Sequence, residues 1–214
     1  MKKLHVITLA LALGLAPAVM QADEQGQVDQ AATTMRQFEM MPEKGIPKDI
    51  MRHAKGFAIL TIAKGGFVFS GKVGEGVVVA RTKDGWSGPS FIRTGGAGFG
   101  PQIGGEVTQL VLVLNTQKAI DAFAHGGNVQ LGADLSVAAG PVGRTAEGDV
   151  MPVAAVYAYS RSKGLFAGAS IEGTVLLTNK DGNERYYGRP VTAMAILHDR
   201  VPAPRGSGAL RKTL

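Results

Sequence analysis

Apolar residues recur every three or four positions over 23–41, at Val28, Ala31, Ala32, Met35, Phe38 and Met41. That spacing predicts one amphipathic helix, ended by Pro42. A second short helix is predicted over 47–55, with Pro47 in its first turn, Ile50, Met51 and Ala54 on one side, and Gly56 as the stop. From residue 57 to 115 the period changes to that of strands. Stretches at 57–63, 66–73, 75–82, 86–92 and 106–115, with glycines between them, predict short antiparallel strands, and Asp84-Gly85 predicts a turn. Asn115 or Thr116 caps a helix over 116–125, carried by Ala119, Ile120 and Phe123 and ended by Gly126 and Gly127. Strands resume over 128–140, 153–162, 164–170 and 173–179, and a turn is predicted at Lys180-Asp181-Gly182. A last helix is predicted over 190–197, and residues 200–214, with Pro202, Pro204 and Gly206, read as a basic flexible tail.

The chain also resembles itself. Residues 75–85 align without gaps on 172–182, matching at six of eleven positions, and each copy follows a Lys-Gly pair, Lys64-Gly65 and Lys163-Gly164. Either two hairpins with Asp-Gly turns look alike, or a duplicated hairpin gives the sheet an approximate two-fold. The elements together predict one α+β domain: a curved, mostly antiparallel sheet, open or closed as a barrel, flanked by about four helices. A two-layer sandwich is the alternative.

Composition sharpens this picture. Thirty glycines in 214 residues are twice the ordinary share of about 7%, and they permit tight curvature and close backbone approach. The absence of cysteine excludes a disulfide framework, a thiolate nucleophile, an iron–sulfur cluster, a sulfur-ligated zinc site and a lipoprotein anchor. Lys2 and Lys3, the apolar stretch over 4–15 and the small residues near Ala18 and Ala22 describe a secretory signal peptide over 1–22, cleaved after residue 18 or 22. Removing it lowers the net charge from +6 to +4, with 21 basic against 17 acidic residues, a mild preference for anionic surfaces. The expected location is the periplasm or the periphery of a bacterial cell envelope.

Enzyme motifs fail on their details. Gly66 to Lys72 nearly matches a phosphate loop, but Val73 stands where the Mg²⁺-binding hydroxyl belongs. Gly95 to Gly100 resembles a dinucleotide loop, yet Pro101 takes the place of the third glycine and no helix follows. Ser160 and Lys163 have the Ser-x-x-Lys spacing of penicillin-recognising enzymes, without the accompanying Ser-Asp-Asn or Lys-Thr-Gly. His53, His125 and His198 are isolated and read as capping or surface residues, and no paired carboxylates suggest acid–base work. The expectation is a non-enzyme with no cofactor and no metal. What remains is a set of basic residues at strand edges, Lys64, Lys72, Arg81, Arg93, Arg144, Arg161 and Lys163, beside glycines whose amides can join them in binding phosphate. Thirteen aromatics serve core and stacking together, too few for a nucleic-acid partner.

The blocks 55–81, 88–116, 131–144 and 159–173 resemble the SYLF domain family, in order and over about 46–197. The resemblance implies a lipid-binding and, in some members, actin-binding domain without catalysis, and phosphoinositides are the usual ligands of eukaryotic members. There, phosphoinositide binding is attributed to an amphipathic helix at the N-terminal edge of the domain. The corresponding segment here sets Asp23, Glu24, Asp29 and Glu39 against Arg36, a poor ligand for an anionic membrane. A bacterial envelope offers neither actin nor much phosphoinositide, so the anionic partners expected there are phosphatidylglycerol, cardiolipin or lipopolysaccharide phosphate. The resulting division is a signal peptide (1–22), an amphipathic helix (23–45), a SYLF-like lipid-binding domain (46–199) and the tail (200–214). Lys64, Arg161 and Lys163, brought together by the two-fold, are the expected headgroup ligands, with Lys72 and Arg144 beside them. A scaffold that binds a protein partner is the alternative, and a serine hydrolase using Ser160 and Lys163 is the remaining one.

Overall fold

Two strands far longer than those the pattern predicts organise the molecule. The computed structural model describes residues 23–41, 45–141, 154–163 and 173–214. In it β1 spans Gly56–Thr82 and β3 spans Ser90–Leu114, joined by a turn at Lys83-Asp84 and the two-residue β2, Gly85–Trp86. β1 and β3 pair antiparallel from Gly56 opposite Leu114 to Val78 opposite Ser90. The glycines expected to separate short strands leave this ladder intact, because glycine keeps the N–H and C=O that pairing requires. The predicted strands over 57–82 are therefore one strand.

β1 also folds back on itself. The Arg81 N–H donates to the Lys55 carbonyl at 2.8 Å. A Cβ on Gly56 would stand 2.6 Å from the Val79 oxygen, one on Gly74 3.2 Å from the Thr61 oxygen, and one on Gly76 would overlap the Ile59 carbonyl. The two halves of β1 thus pass antiparallel, backbone against backbone, and glycine is required where they touch. The reversal lies near Val68, where the β1–β3 register shifts: Phe67 faces Ile103 but Phe69 faces Phe99. β3 spends three residues where β1 spends one, as the outer strand of a bend must. Pro101, which has no N–H to pair, falls in this outer excess.

Shorter strands extend both ends. β6 (Val156–Lys163) pairs with the second half of β3, and β7 (Val175–Thr178) with its first half. β4 (Asn128–Gln130) continues from β7, and β5 (Val137–Ala139) lies parallel to β6. The result is the expected α+β domain, its mostly antiparallel sheet curled into a half-barrel.

Strand alternation sends side chains to two cores. Phe57, Ile59, Val77, Val79, Val111 and Val113 meet Val28, Ala31, Ala32, Met35 and Phe38 of α1 (Glu24–Glu39). On the other face Ala58, Leu60, Val78, Ala80, Leu110 and Leu112 meet Ile120 and Phe123 of α3 (Gln117–Ala124) and Ile196 and Leu197 of α5 (Ala193–Leu197). Each fully buried Val, Leu, Ile or Phe contributes roughly 1.5–3 kcal/mol. Asp23 caps α1 by accepting from the Gly26 N–H at 2.6 Å, and Thr116, rather than Asn115, caps α3 by accepting from the Ala119 N–H at 3.1 Å. The short α2 (Lys48–His53) follows Pro47 and buries Ile50.

Two expectations are corrected. Lys180-Asp181-Gly182 is no turn but the start of α4 (Lys180–Tyr187), whose cap Asn179 accepts from the Gly182 N–H at 3.0 Å. The second copy of the repeat is therefore not a hairpin, and the approximate two-fold falls with it. Residues 200–214 are no loose tail: a 3-10 turn, Arg205–Ser207, leads into α6 (Gly208–Arg211), and Leu210 is fully buried. The Arg211 Nε donates to the Trp86 carbonyl at 2.8 Å, and the Gln25 Nε2 to the Gly206 carbonyl at 3.1 Å. No helix among the described residues is long and apolar enough to cross a membrane. The signal peptide expected over 1–22, Pro42 and the strand expected over 164–170 lie outside the described residues.

Candidate functional site

The basic residues singled out at strand edges divide by the geometry of the ribbon. Lys64, on β1, stands opposite Glu106 of β3, an opposed pair on one face of the sheet. Glu106 is 4% exposed and accepts from the Thr108 hydroxyl at 3.0 Å. Lys72 stands opposite Gly96, and its ammonium donates to the Thr174 hydroxyl at 3.4 Å. Its stem runs along the ribbon, since a Cβ on Gly96 would lie 3.3 Å from Lys72 Cε. Arg93, exposed on β3, stands opposite Glu75.

Arg161 lies elsewhere. It occupies the β6 position opposite Gln109, and its Nη1 donates to Gln37 Oε1 of α1 at 2.8 Å. Gln109 shares its face with Val111 and Val113, whereas Glu106, and with it Lys64, shares that of Leu110 and Leu112. Lys64 and Arg161 are therefore on opposite faces and do not converge, because no repeated hairpin relates them. Lys163 holds the backbone position opposite Val107, and Arg144 lies outside the described residues.

Arg81 is a structural clamp. Its Nε donates to the Ala54 carbonyl at 2.9 Å and its Nη2 to the Met51 carbonyl at 3.1 Å, at the C-terminal end of α2, while the guanidinium sits 4.3 Å from the Trp86 ring centroid. The histidines close helix ends. The Nδ1 of His53 donates to the Asp49 carbonyl at 2.9 Å and that of His125 to the Asp121 carbonyl at 2.6 Å, while His198 Nε2 lies 3.4 Å from Asp121 Oδ1. Among the described residues no histidine, aspartate or glutamate cluster has the makings of a metal site. Ser160 and Lys163 lie three positions apart along a strand, not on one turn of a helix.

Burial perturbs the tyrosines. It pushes Tyr186 up to about 12, helped by Asp29, and raises Tyr159 and Tyr187 well above the ordinary phenol range. Their hydroxyls are held structurally: Tyr159 donates to the Pro141 carbonyl and Tyr187 to the Pro89 carbonyl, each at 3.1 Å.

Two residues absent from the sequence-based candidates stand out. Val73 is 48% exposed and Val107 44%, both on the stretch of ribbon that carries Lys64, Lys72 and Arg93, and both belong to neither core. Gly65, Gly71, Gly95, Gly96 and Gly105 of the same stretch are also exposed. For Val73 the available signal was glycine beside and opposite it, Gly74 and Gly95, which deprives it of packing neighbours.

This is a domain of the class built on one long, doubled-back glycine-rich hairpin, with Lys64, Lys72, Arg93 and the exposed Val73 and Val107 along it. The chain belongs to the Ysc84 (SYLF) family: residues 95–214 match the family described as "Ysc84: Las17-binding protein actin regulator". It is 48% identical over 174 residues to LAS seventeen-binding protein 3 of Saccharomyces cerevisiae, which is 79% of this chain and 38% of that protein. Over 188 residues it is 44% identical to the SH3 domain-containing YSC84-like protein 1 of Homo sapiens, which is 84% of this chain and 55% of that protein. The SYLF resemblance expected from the four sequence blocks is thereby shown. The relatives are named for binding and for SH3 domains, not for catalysis.

Proposed function

We propose that this chain is a non-enzymatic module that binds anionic phospholipid at a membrane surface, acting in the periplasm or at the periphery of a cell envelope after export through residues 1–22. The observation that supports this reading most is the position of the exposed Arg93 and the partly buried Lys64 and Lys72 on a ribbon whose Gly65, Gly71, Gly95, Gly96 and Gly105 are exposed, leaving backbone that a headgroup phosphate can approach. Three cations near an anionic surface contribute on the order of 1 kcal/mol each, screened by salt. That supports reversible peripheral binding. Arg161 is committed to Gln37 and is a weaker headgroup ligand than the sequence suggests.

The test is flotation of the purified protein with vesicles of phosphatidylglycerol or cardiolipin in phosphatidylcholine, against phosphatidylcholine alone. Binding to the anionic vesicles that weakens in a Lys72→Gln, Arg93→Gln variant supports the reading, and absence of flotation at low salt overturns it. The family description favours a second reading, a protein partner such as actin or an actin regulator. Cosedimentation with filamentous actin in the absence of any vesicle interaction would select it.

A further inference from the structure

We propose that the hairpin-turn end of the domain is a docking surface for an acidic segment of a partner protein, held by a fixed array of lysines and arginines around Trp86. This surface is separate from Lys64, Lys72 and Arg93 of the ribbon, and it does not depend on lipid binding.

Three segments remote in sequence meet at Trp86. The Arg81 guanidinium lies 4.3 Å from the centroid of its ring and donates to the Met51 and Ala54 carbonyls, which ties the hairpin end to α2. The Arg81 N–H donates to the Lys55 carbonyl, and Trp86 stands opposite Arg81 in the β1–β2 pair, with Lys83 in the turn between them. From a third side the Arg211 Nε donates to the Trp86 carbonyl, so α6 closes on the same residue.

The charge excess of the chain is concentrated in these segments. Residues 48–55, 81–86 and 205–214 carry eight lysines and arginines against Asp49 and Asp84, a net +6, while the rest of the chain balances 15 basic residues against 15 acidic ones. The whole formal charge of +6 therefore gathers around one indole. Seven of the eight cations are exposed and Arg211 is half-buried. Among the described residues Arg52, beside Asp49, is the one member of the set within salt-bridge distance of a carboxylate. Cations gathered without counter-charges repel one another, and an acidic partner relieves that repulsion while being steered to the site.

Two features favour a polypeptide over a bilayer. The large hydrophobic side chains left exposed among the described residues, Met40, Val73 and Val107, all belong to other segments, and Trp86 is 6% exposed, so this end has no large side chain to insert into an interfacial layer. Arg81 and Arg211 are each fixed at Nε by a backbone carbonyl, which presets two guanidinium forks for carboxylates at defined positions. A fluid headgroup layer gains little from such fixing. Gly56, at this end, is roughly 25 Å along the strand from Lys64, so an acidic segment here leaves the ribbon cations uncovered.

The probe is fluorescein-labelled poly-glutamate, followed by anisotropy at low salt. It is compared on the full chain, a Lys55→Gln, Lys83→Gln variant and the ribbon variant Lys72→Gln, Arg93→Gln. Each variant removes two positive charges, so the general attraction falls equally in both. Lys55 and Lys83 are exposed, and their replacement should leave circular dichroism and the urea midpoint unchanged. The full chain should bind, the Lys55→Gln, Lys83→Gln variant about fivefold more weakly, and the ribbon variant with little change. Amide exchange should slow on binding in 48–55 and 81–86. Equal weakening by the two variants, or none at positions 55 and 83, overturns the surface. So does failure of poly-glutamate to bind while anionic vesicles bind and lose affinity for the Lys55→Gln, Lys83→Gln variant, which would make this end a membrane contact. None of these results removes vesicle binding through the ribbon, which flotation of the ribbon variant decides separately.

Discussion

Gly76, in the returning half of β1, lies against the carbonyl of Ile59 in the outgoing half, with no room between them for a methyl group. Gly76→Ala should therefore force the two halves apart and destabilise the domain by about 3 kcal/mol, the upper range for overpacking against backbone. Gly71→Ala, where a Cβ would meet nothing within 4 Å, should change stability by less than about 0.5 kcal/mol. Urea unfolding of the two variants makes the comparison, and equal effects would contradict the close passage.

Arg161→Gln removes the hydrogen bond to Gln37 that ties β6 to α1. The expected cost is roughly 1–2 kcal/mol, because the bond is charged at one end and partly buried. A double-mutant cycle with Gln37→Ala should return a coupling of about 0.5–1 kcal/mol. Anionic vesicle binding should fall far less than in a Lys72→Gln, Arg93→Gln variant.

Leu210→Ala should cost about 2–4 kcal/mol, as truncation of a fully buried leucine does. Removing residues 205–214 should do more, exposing Trp86 and shifting its fluorescence to the red. A truncated chain as stable as the full one would return this segment to the status of a tail.

Alkaline pH should unfold the domain in a defined window. Tyr186 ionises near 12 in the folded chain, against about 10 unfolded, and Tyr159 and Tyr187 are raised as well. Above pH 10 the unfolded chain releases protons that the folded one keeps, so this contribution is complete below pH 10 and is lost as pH climbs toward 12. Phenolate absorbance should show Tyr159, Tyr186 and Tyr187 still protonated at pH 10 in the native protein, and ionising near 10 in urea.

Much of the fold was legible where apolar spacing carried it. Val28 to Phe38 marked α1, and Thr116, Ala119, Ile120 and Phe123 marked α3, because one face of each is buried against the sheet. α4 was not, since its buried positions are Gly182 and Asn183 rather than an apolar stripe, and Asp181-Gly182 imitates a turn. Asn179 before it and Gly188 after it, at φ +68°, were the signals present. The continuity of β1 was hidden for a different reason. Glycine usually punctuates, and only the return of the strand over itself reveals Gly74 and Gly76 as contact points. The cations were found by type, but their grouping was not, because which face Lys64 or Arg161 occupies depends on a register that no local pattern encodes.

Gln25 meets Gly206 across 181 residues of chain, and Leu214 packs against the same core as Val28, so the first helix and the last segment of the fold lie side by side. A short glycine–serine linker from residue 214 to residue 23, with the chain reopened between Lys83 and Asp84, would rearrange its order while leaving every layer in place. Such a permutant should assemble the same half-barrel with its new ends at the Lys83-Asp84 turn.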